Sequence, residues 1–94
     1  MEPIRICEIV TAVGGALWKG NPNAEVTSVS TNSRELEPGA LFVPIVGERV
    51  DAHRFIPDVM AKGALATLSE RELPDAAYPY IQVASSLQAV KDIA

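Results

Sequence analysis

At 94 residues with 48% hydrophobic content, the chain fits one small domain with a modest core. A formal net charge of -4 argues against nucleic acid or an anionic membrane as the principal partner, because both are bound through positive potential. The single cysteine, Cys7, excludes an internal disulfide and a cysteine-based zinc site, and a buried thiol in a reducing, cytoplasmic setting is the simplest expectation for it.

Ile6, Ile9, Val10 and Val13 recur at helical spacing and are followed by Gly14-Gly15, which predicts a first helix over about Arg5 to Val13 with a glycine cap. Ala16-Leu17-Trp18-Lys19 reads as a short strand with Trp18 in the core or on a half-buried face. Gly20-Asn21-Pro22-Asn23 reads as a turn, and Val26 to Ser30 as a β-branched strand. After the polar stretch Thr31-Asn32-Ser33-Arg34 and a turn at Glu37-Pro38-Gly39, the apolar run Leu41 to Val46 predicts a buried strand. Pro44 weakens that strand, since proline cannot donate to a central ladder.

The second half alternates strand and helix patterns. Phe55, Ile56, Val59 and Met60 form one apolar face of a helix over about 53 to 62, with Pro57 in its first turn and Lys62-Gly63 as its stop. Leu65 to Leu68 and Tyr80 to Val83 are short strands, separated by a charged stretch in which Arg71 lies outside the candidate loops and is expected to be functionally silent. Ser85-Ser86-Leu87-Gln88 matches a capping box, opening a helix that runs to the last residue. The strand, helix and strand between 41 and 68 make a βαβ unit, which predicts an α/β fold with two parallel strands joined by a right-handed crossover.

The chain has no Gly-Lys dipeptide, so a Walker-type phosphate loop is absent from these residues and ATP turnover by them alone is not expected. No catalytic residue and no metal site are assigned. His53 lacks a second histidine or a cysteine for metal ligation, and is read as a hydrogen-bonded histidine near a helix start. What remains is polar loop chemistry. Arg34, Arg49 and Arg54 lie in or beside the segments flanking the 41–46 strand, with the hydroxyls of Thr31 and Ser33 next to Arg34. A parallel strand delivers 46–51 to its C-terminal end, where open α/β sheets bind ligands, and a following helix offers free N–H groups to an anion. Ser, Thr and Arg are also ordinary loop residues. Composition and spacing therefore reach a ligand-binding α/β domain, with a solvated loop as the simpler alternative.

Three segments carry more: Ser30-Thr31-Asn32-Ser33-Arg34, Pro38-Gly39-Ala40-Leu41-Phe42-Val43, and the run from Val46 through Gly47-Glu48-Arg49-Val50-Asp51-Ala52-His53-Arg54-Phe55-Ile56. In order and spacing they resemble the N-terminal domain of the muramyl-peptide ligases, whose pattern is Thr-Asp-Ser-Arg, Pro-Gly-Asp-Leu-Phe-Val-Ala and Gly-Glu-Arg-Phe-Asp-Gly/Ala-His-x-Phe. Asn32, Ala40 and Pro44 depart from it. The likeness continues through Lys62-Gly63-Ala64 and into Leu87 to Ala94. Within the family, Gly47-Glu48-Arg49 with Asp51-Ala52-His53 resembles the member that adds D-alanyl-D-alanine to a UDP-N-acetylmuramoyl tripeptide more than the member that adds the third amino acid.

The resemblance implies a small, three-layer-like α/β domain over residues 1–94, the first of three in an ATP-dependent peptidoglycan ligase. This domain would hold the UDP end of a UDP-N-acetylmuramoyl peptide, a central domain would bind ATP and Mg2+, and a C-terminal domain would help bind the incoming amine. The central and C-terminal domains are absent from this chain. Carried over by position, the UDP contacts fall on Thr31, Ser33 and Arg34 in the first loop and on Glu48, Arg49 and Val50 in the second. Thr31 and Ser33 would serve uracil and ribose, Arg49 would stand near the diphosphate, the backbone around Glu48 to Val50 would shape the pocket, and Arg34 would bind or brace. The alternatives are the same domain of the third-residue ligase, or a free-standing nucleotide-sugar-binding module. The final helix, Leu87 to Ala94, ends without a cap, which is expected of a domain cut from a longer enzyme.

Overall fold

The computed structural model describes residues 2–18, 20–47, 49–73 and 78–93, with Trp18 described in its backbone only. The expected place of the Trp18 side chain therefore lies outside the described residues. The first helix, α1 (Ile6–Val13), ends on Gly14 in the left-handed conformation with φ 64°, as its glycine suggested. A two-residue strand, β1 (Ile4–Arg5), precedes it and pairs antiparallel with β3 (Glu25–Val26). Cys7 is half-buried rather than buried, because it lies on the flank of α1 while Ile6 and Ile9 face inward.

The main sheet contains β2 (Ala16–Trp18), β4 (Ser28–Ser30), β5 (Ala40–Phe42), β6 (Ala66–Ser69) and β7 (Tyr80–Gln82), in the order β2-β7-β6-β5-β4. The four strands from β4 to β7 are mutually parallel, and β2 runs antiparallel along β7. Two expectations are corrected here. The strand expected over 26–30 is two strands in two sheets, because Val26 pairs with Ile4 while Ser28 turns to pair with Ala40. The strand expected over 41–46 ends at Phe42. Pro44 lacks the N–H that a strand between two neighbours needs, and Val46 returns only as an isolated bridge to Asp51.

A 3-10 turn over Ala52–Phe55 runs into α2 (Ile56–Ala61) and carries the chain from β5 to β6, which is the βαβ unit the spacing predicts. The last helix, α3 (Ser86–Ile93), packs against α1. Its capping box is half made: the Ser85 hydroxyl accepts the Gln88 N–H at 3.2 Å, but the Gln88 side chain reaches forward to Asp92 at 3.0 Å instead of back to the cap.

Period-2 alternation on the buried strands assigns the layers. Leu41, Val43, Leu68 and Ile81 pack toward α1 and α3 with Ile6, Ile9 and Ala89. Phe42 points the other way, into a separate cluster with Ile56, Val59 and Ala64 of the α2 side. The result is helices on both faces of one sheet, the small three-layered α/β arrangement that the sequence suggested.

Gly15 has a different reason from Gly14. A Cβ there would sit 2.7 Å from the Gln82 carbonyl oxygen and 2.7 Å from the Ile81 side chain, so this glycine lets the turn after α1 press onto β7. Gly15→Ala is expected to lower stability by roughly 1–3 kcal/mol through overpacking against backbone. At Gly14 a Cβ meets nothing within 4 Å, and Gly14→Ala should cost only about 1 kcal/mol from its positive φ. Urea midpoints of the two variants check the order, and a milder Gly15→Ala than Gly14→Ala contradicts it.

Candidate functional site

Because β4 to β7 are parallel, the segments leaving Ser30, Phe42, Ser69 and Gln82 start at one edge of the sheet. That edge gathers backbone and side-chain groups freed from the ladder, which is where open parallel sheets accept ligands. Two adjoining clefts open there and share Val50 as a common wall.

The first cleft, of about 370 Å³, is lined by Thr31, Asn32, Ser33 and Arg34 on one side and by Phe42 and Val50 on the other. Its loop is braced from within. The Ser30 hydroxyl accepts the Asn32 N–H at 3.1 Å and donates to the Asn32 carbonyl at 3.0 Å, and the Asn32 side-chain oxygen accepts the Arg34 N–H at 2.9 Å. Lys62, at the end of α2, donates to the Ser33 carbonyl at 3.1 Å. The departure of Asn32 from the aspartate pattern is thus accommodated, since the turn needs a short side-chain acceptor and an amide oxygen supplies one. Thr31 and Arg34 are exposed and Ser33 is half-buried, so the hydroxyls are open to a ligand.

The second cleft, of about 340 Å³, is lined by Arg49, Val50, Asp51, His53, Arg54 and Arg71. The Gly47 N–H donates to the Val50 carbonyl at 2.9 Å and the Ala52 N–H to the Ile45 carbonyl at 3.2 Å, which holds Val46 and Gly47 against Val50 and Asp51. Of the residues expected to contact the UDP moiety, Thr31, Ser33, Arg34 and Val50 share the first cleft, Arg49 lies across Val50 in the second, and Glu48 lies outside the described residues.

His53 is buried and satisfied on both nitrogens. Its Nε2 accepts the Glu70 N–H at 2.9 Å, so the ring proton of this neutral tautomer sits on Nδ1 and donates to Asp51 Oδ1 at 2.6 Å. Asp51 Oδ1 also accepts the His53 backbone N–H at 2.9 Å, which caps the 3-10 turn. This backbone hydrogen bond is the main reason the Asp51 carboxyl is held below its ordinary range, with the His53 ring and the Arg71 guanidinium acting in the same direction. The reading of His53 as a hydrogen-bonded structural histidine agrees with this geometry.

Arg71 is the residue that sequence reasoning misplaced. It was expected to stand apart from both loops, yet its guanidinium pairs with Asp51 Oδ2 and lines the second cleft with Arg49. Twenty residues separate the partners. The only early signal was that Arg71 follows a strand predicted to be parallel to the one before Arg49. Among the described residues, no group of three or more His, Cys, Asp or Glu is arranged to hold a metal ion.

Comparison with known proteins agrees with the resemblance to the family and divides over the member. A family profile described as "Mur ligase family, catalytic domain" matches residues 25–94. A UDP-N-acetylmuramoyl-L-alanyl-D-glutamate--2,6-diaminopimelate ligase of Chlorobium phaeobacteroides is 38% identical over 90 residues, 93% of this chain and 17% of that protein. The ligase of the same name from Bacteroides fragilis is 40% identical over 90 residues, 93% of this chain and 18% of that protein. Among solved structures, MurF from Acinetobacter baumannii superposes with a TM-score of 0.88 at 32% identity, covering 98% of this chain and 20% of that one. The chain therefore spans about a fifth of the length of the proteins it matches.

Proposed function

This chain belongs to the Mur ligase family, and from that premise we propose that it is the N-terminal domain that receives the UDP end of a UDP-N-acetylmuramoyl peptide in an ATP-dependent ligase of peptidoglycan synthesis. The observation that carries this reading is the meeting of the two candidate loops, 31–34 and 46–51, around adjoining clefts at the C-terminal edge of the parallel strands. Hydroxyls at Thr31 and Ser33 suit uracil and ribose, and the arginine-rich second cleft suits the diphosphate. ATP and Mg2+ belong to the rest of the enzyme in this proposal. The residues here offer neither a Walker loop nor a carboxylate cluster among those described. A cytoplasmic place follows from the soluble nucleotide substrate, and among the described residues no helix is long and apolar enough to cross a membrane.

The amine is where two readings compete. Addition of D-alanyl-D-alanine, the reading suggested by the Gly47-Glu48-Arg49 and Asp51-Ala52-His53 segments, is supported by the MurF superposition. Addition of the third residue is favoured by the 38% and 40% identities to diaminopimelate ligases, which exceed the 32% identity to MurF. We place the third-residue reading first on that difference. The test supplies the full-length protein with UDP-N-acetylmuramoyl dipeptide plus diaminopimelate, or with the tripeptide plus D-alanyl-D-alanine, and follows ADP release. Turnover with the dipeptide pair alone is the expected result, turnover with the tripeptide pair alone selects the second reading, and turnover with neither removes both.

A further inference from the structure

The second cleft has a charge balance opposite to that of the chain. In a protein of net charge -4, three of the five arginines, Arg49, Arg54 and Arg71, line one cleft in which Asp51 is the only carboxylate among its described lining residues. His53 adds no charge there, because an Nε2 that accepts the Glu70 N–H leaves the ring neutral. Arg54 is partly occupied, with its guanidinium 5.5 Å from the centre of the Phe55 ring.

Arg71 is held differently. Its Nη2 donates to Asp51 Oδ2, which uses part of the guanidinium fork and leaves other N–H groups for a second acceptor. Asp51 is fixed in turn by two hydrogen bonds from His53, whose far nitrogen is anchored to the Glu70 backbone immediately before Arg71. The chain of contacts closes on itself. It ties Asp51, after β5, to the segment after β6, and a surface side chain that is 62% exposed thereby gains a defined origin.

We propose that Arg71 is a second cationic contact for the diphosphate of the UDP substrate, and that Asp51 and His53 are the positioning residues that hold it in the cleft with Arg49. This deepens the reading above and rests on it. A diphosphate presents charged oxygens on two phosphorus atoms, so two guanidiniums approaching from different strands match it better than one. Uridine alone would gain nothing from Arg71.

The test is calorimetric titration of uridine and of UDP into the full-length protein. With Arg71→Ala, UDP should bind roughly tenfold more weakly while uridine binds as in the parent. Arg71→Lys, a point charge without the fork, should fall between the two. Asp51→Asn should weaken UDP several-fold and leave uridine unchanged, a split that a merely structural brace would not produce. UDP binding unaltered in Arg71→Ala overturns the proposal and leaves the nucleotide-site reading standing. Equal losses of uridine and UDP make Arg71 a scaffold residue and overturn it also. A parent protein that binds neither ligand removes the site reading on which both depend.

Discussion

Phe42→Ala is expected to lower stability by about 3–5 kcal/mol and to abolish ligand binding with it. Phe42 is fully buried at the end of β5, and its ring fills the space between the sheet and the α2 side with Ile56, Val59 and Ala64. The surrounding cluster is small, and the ring sits between two backbone-fixed layers, so the cavity left by truncation has little means of collapse. Small domains have total stabilities of roughly 5–15 kcal/mol, and a 94-residue chain belongs toward the lower end. Phe42 also borders the Thr31 to Arg34 cleft, so loosening β5 disturbs core and site together. Leu41→Ala, one residue earlier and on the opposite face, should cost about 2–5 kcal/mol without removing a cleft wall. Urea unfolding of the three proteins measures this. A Phe42→Ala loss below about 1 kcal/mol would mean that the α2 side is not packed as described.

That Leu41 and Phe42 face opposite layers is expected of adjacent residues in a buried strand, whose side chains alternate with period 2, although the uniformly apolar run from Leu41 to Val46 does not say which layer takes which. The βαβ unit was legible for the same kind of reason: Phe55, Ile56, Val59 and Met60 repeat at helical spacing between two apolar runs. What escaped was structure whose cause lies far along the chain. β1 is two residues long and exists only because Val26 is there to pair with Ile4, so nothing local marks it. Gly15 reads as part of a cap, while its actual constraint is the backbone of β7, some 67 residues away. The site divides in the same way. Thr31, Ser33 and Arg34 fall within four consecutive residues and Arg49 with Val50 follows a predicted strand, so motif and topology single them out as candidates. The link from Asp51 to Arg71 and that from His53 to Glu70 span 20 and 17 residues, and only register between parallel strands brings them together. A position judged remote by sequence is therefore a poor control for the site.

That correction shapes the last expectation, Arg49→Ala in the full-length enzyme. Arg49 is exposed, and the residues around it are held by the Gly47 to Val50 hydrogen bond and the Val46 to Asp51 bridge, so truncating the side chain should leave those contacts in place. On the proposed reading the loss is then one charge-assisted contact to the diphosphate, worth roughly 1.5–3 kcal/mol, which should raise KM for the UDP substrate by about ten- to a hundredfold. Turnover should hardly change, because in the proposed reaction the amine is joined at the peptide end of the substrate, away from the diphosphate, and the lost contact serves ground and transition states alike. Arg71 cannot be the comparison. Arg5 can: it pairs with Glu8 at 3.9 Å, lines neither cleft, and Arg5→Ala should match the parent in both constants. Steady-state kinetics with the UDP substrate varied gives the answer. If Arg49→Ala loses turnover while KM stays at the parent value, the diphosphate does not lie in the second cleft. If Arg49 and Arg71 do meet the same diphosphate, the double variant should lose less than the product of the two single losses, since either truncation lets the phosphates shift toward solvent.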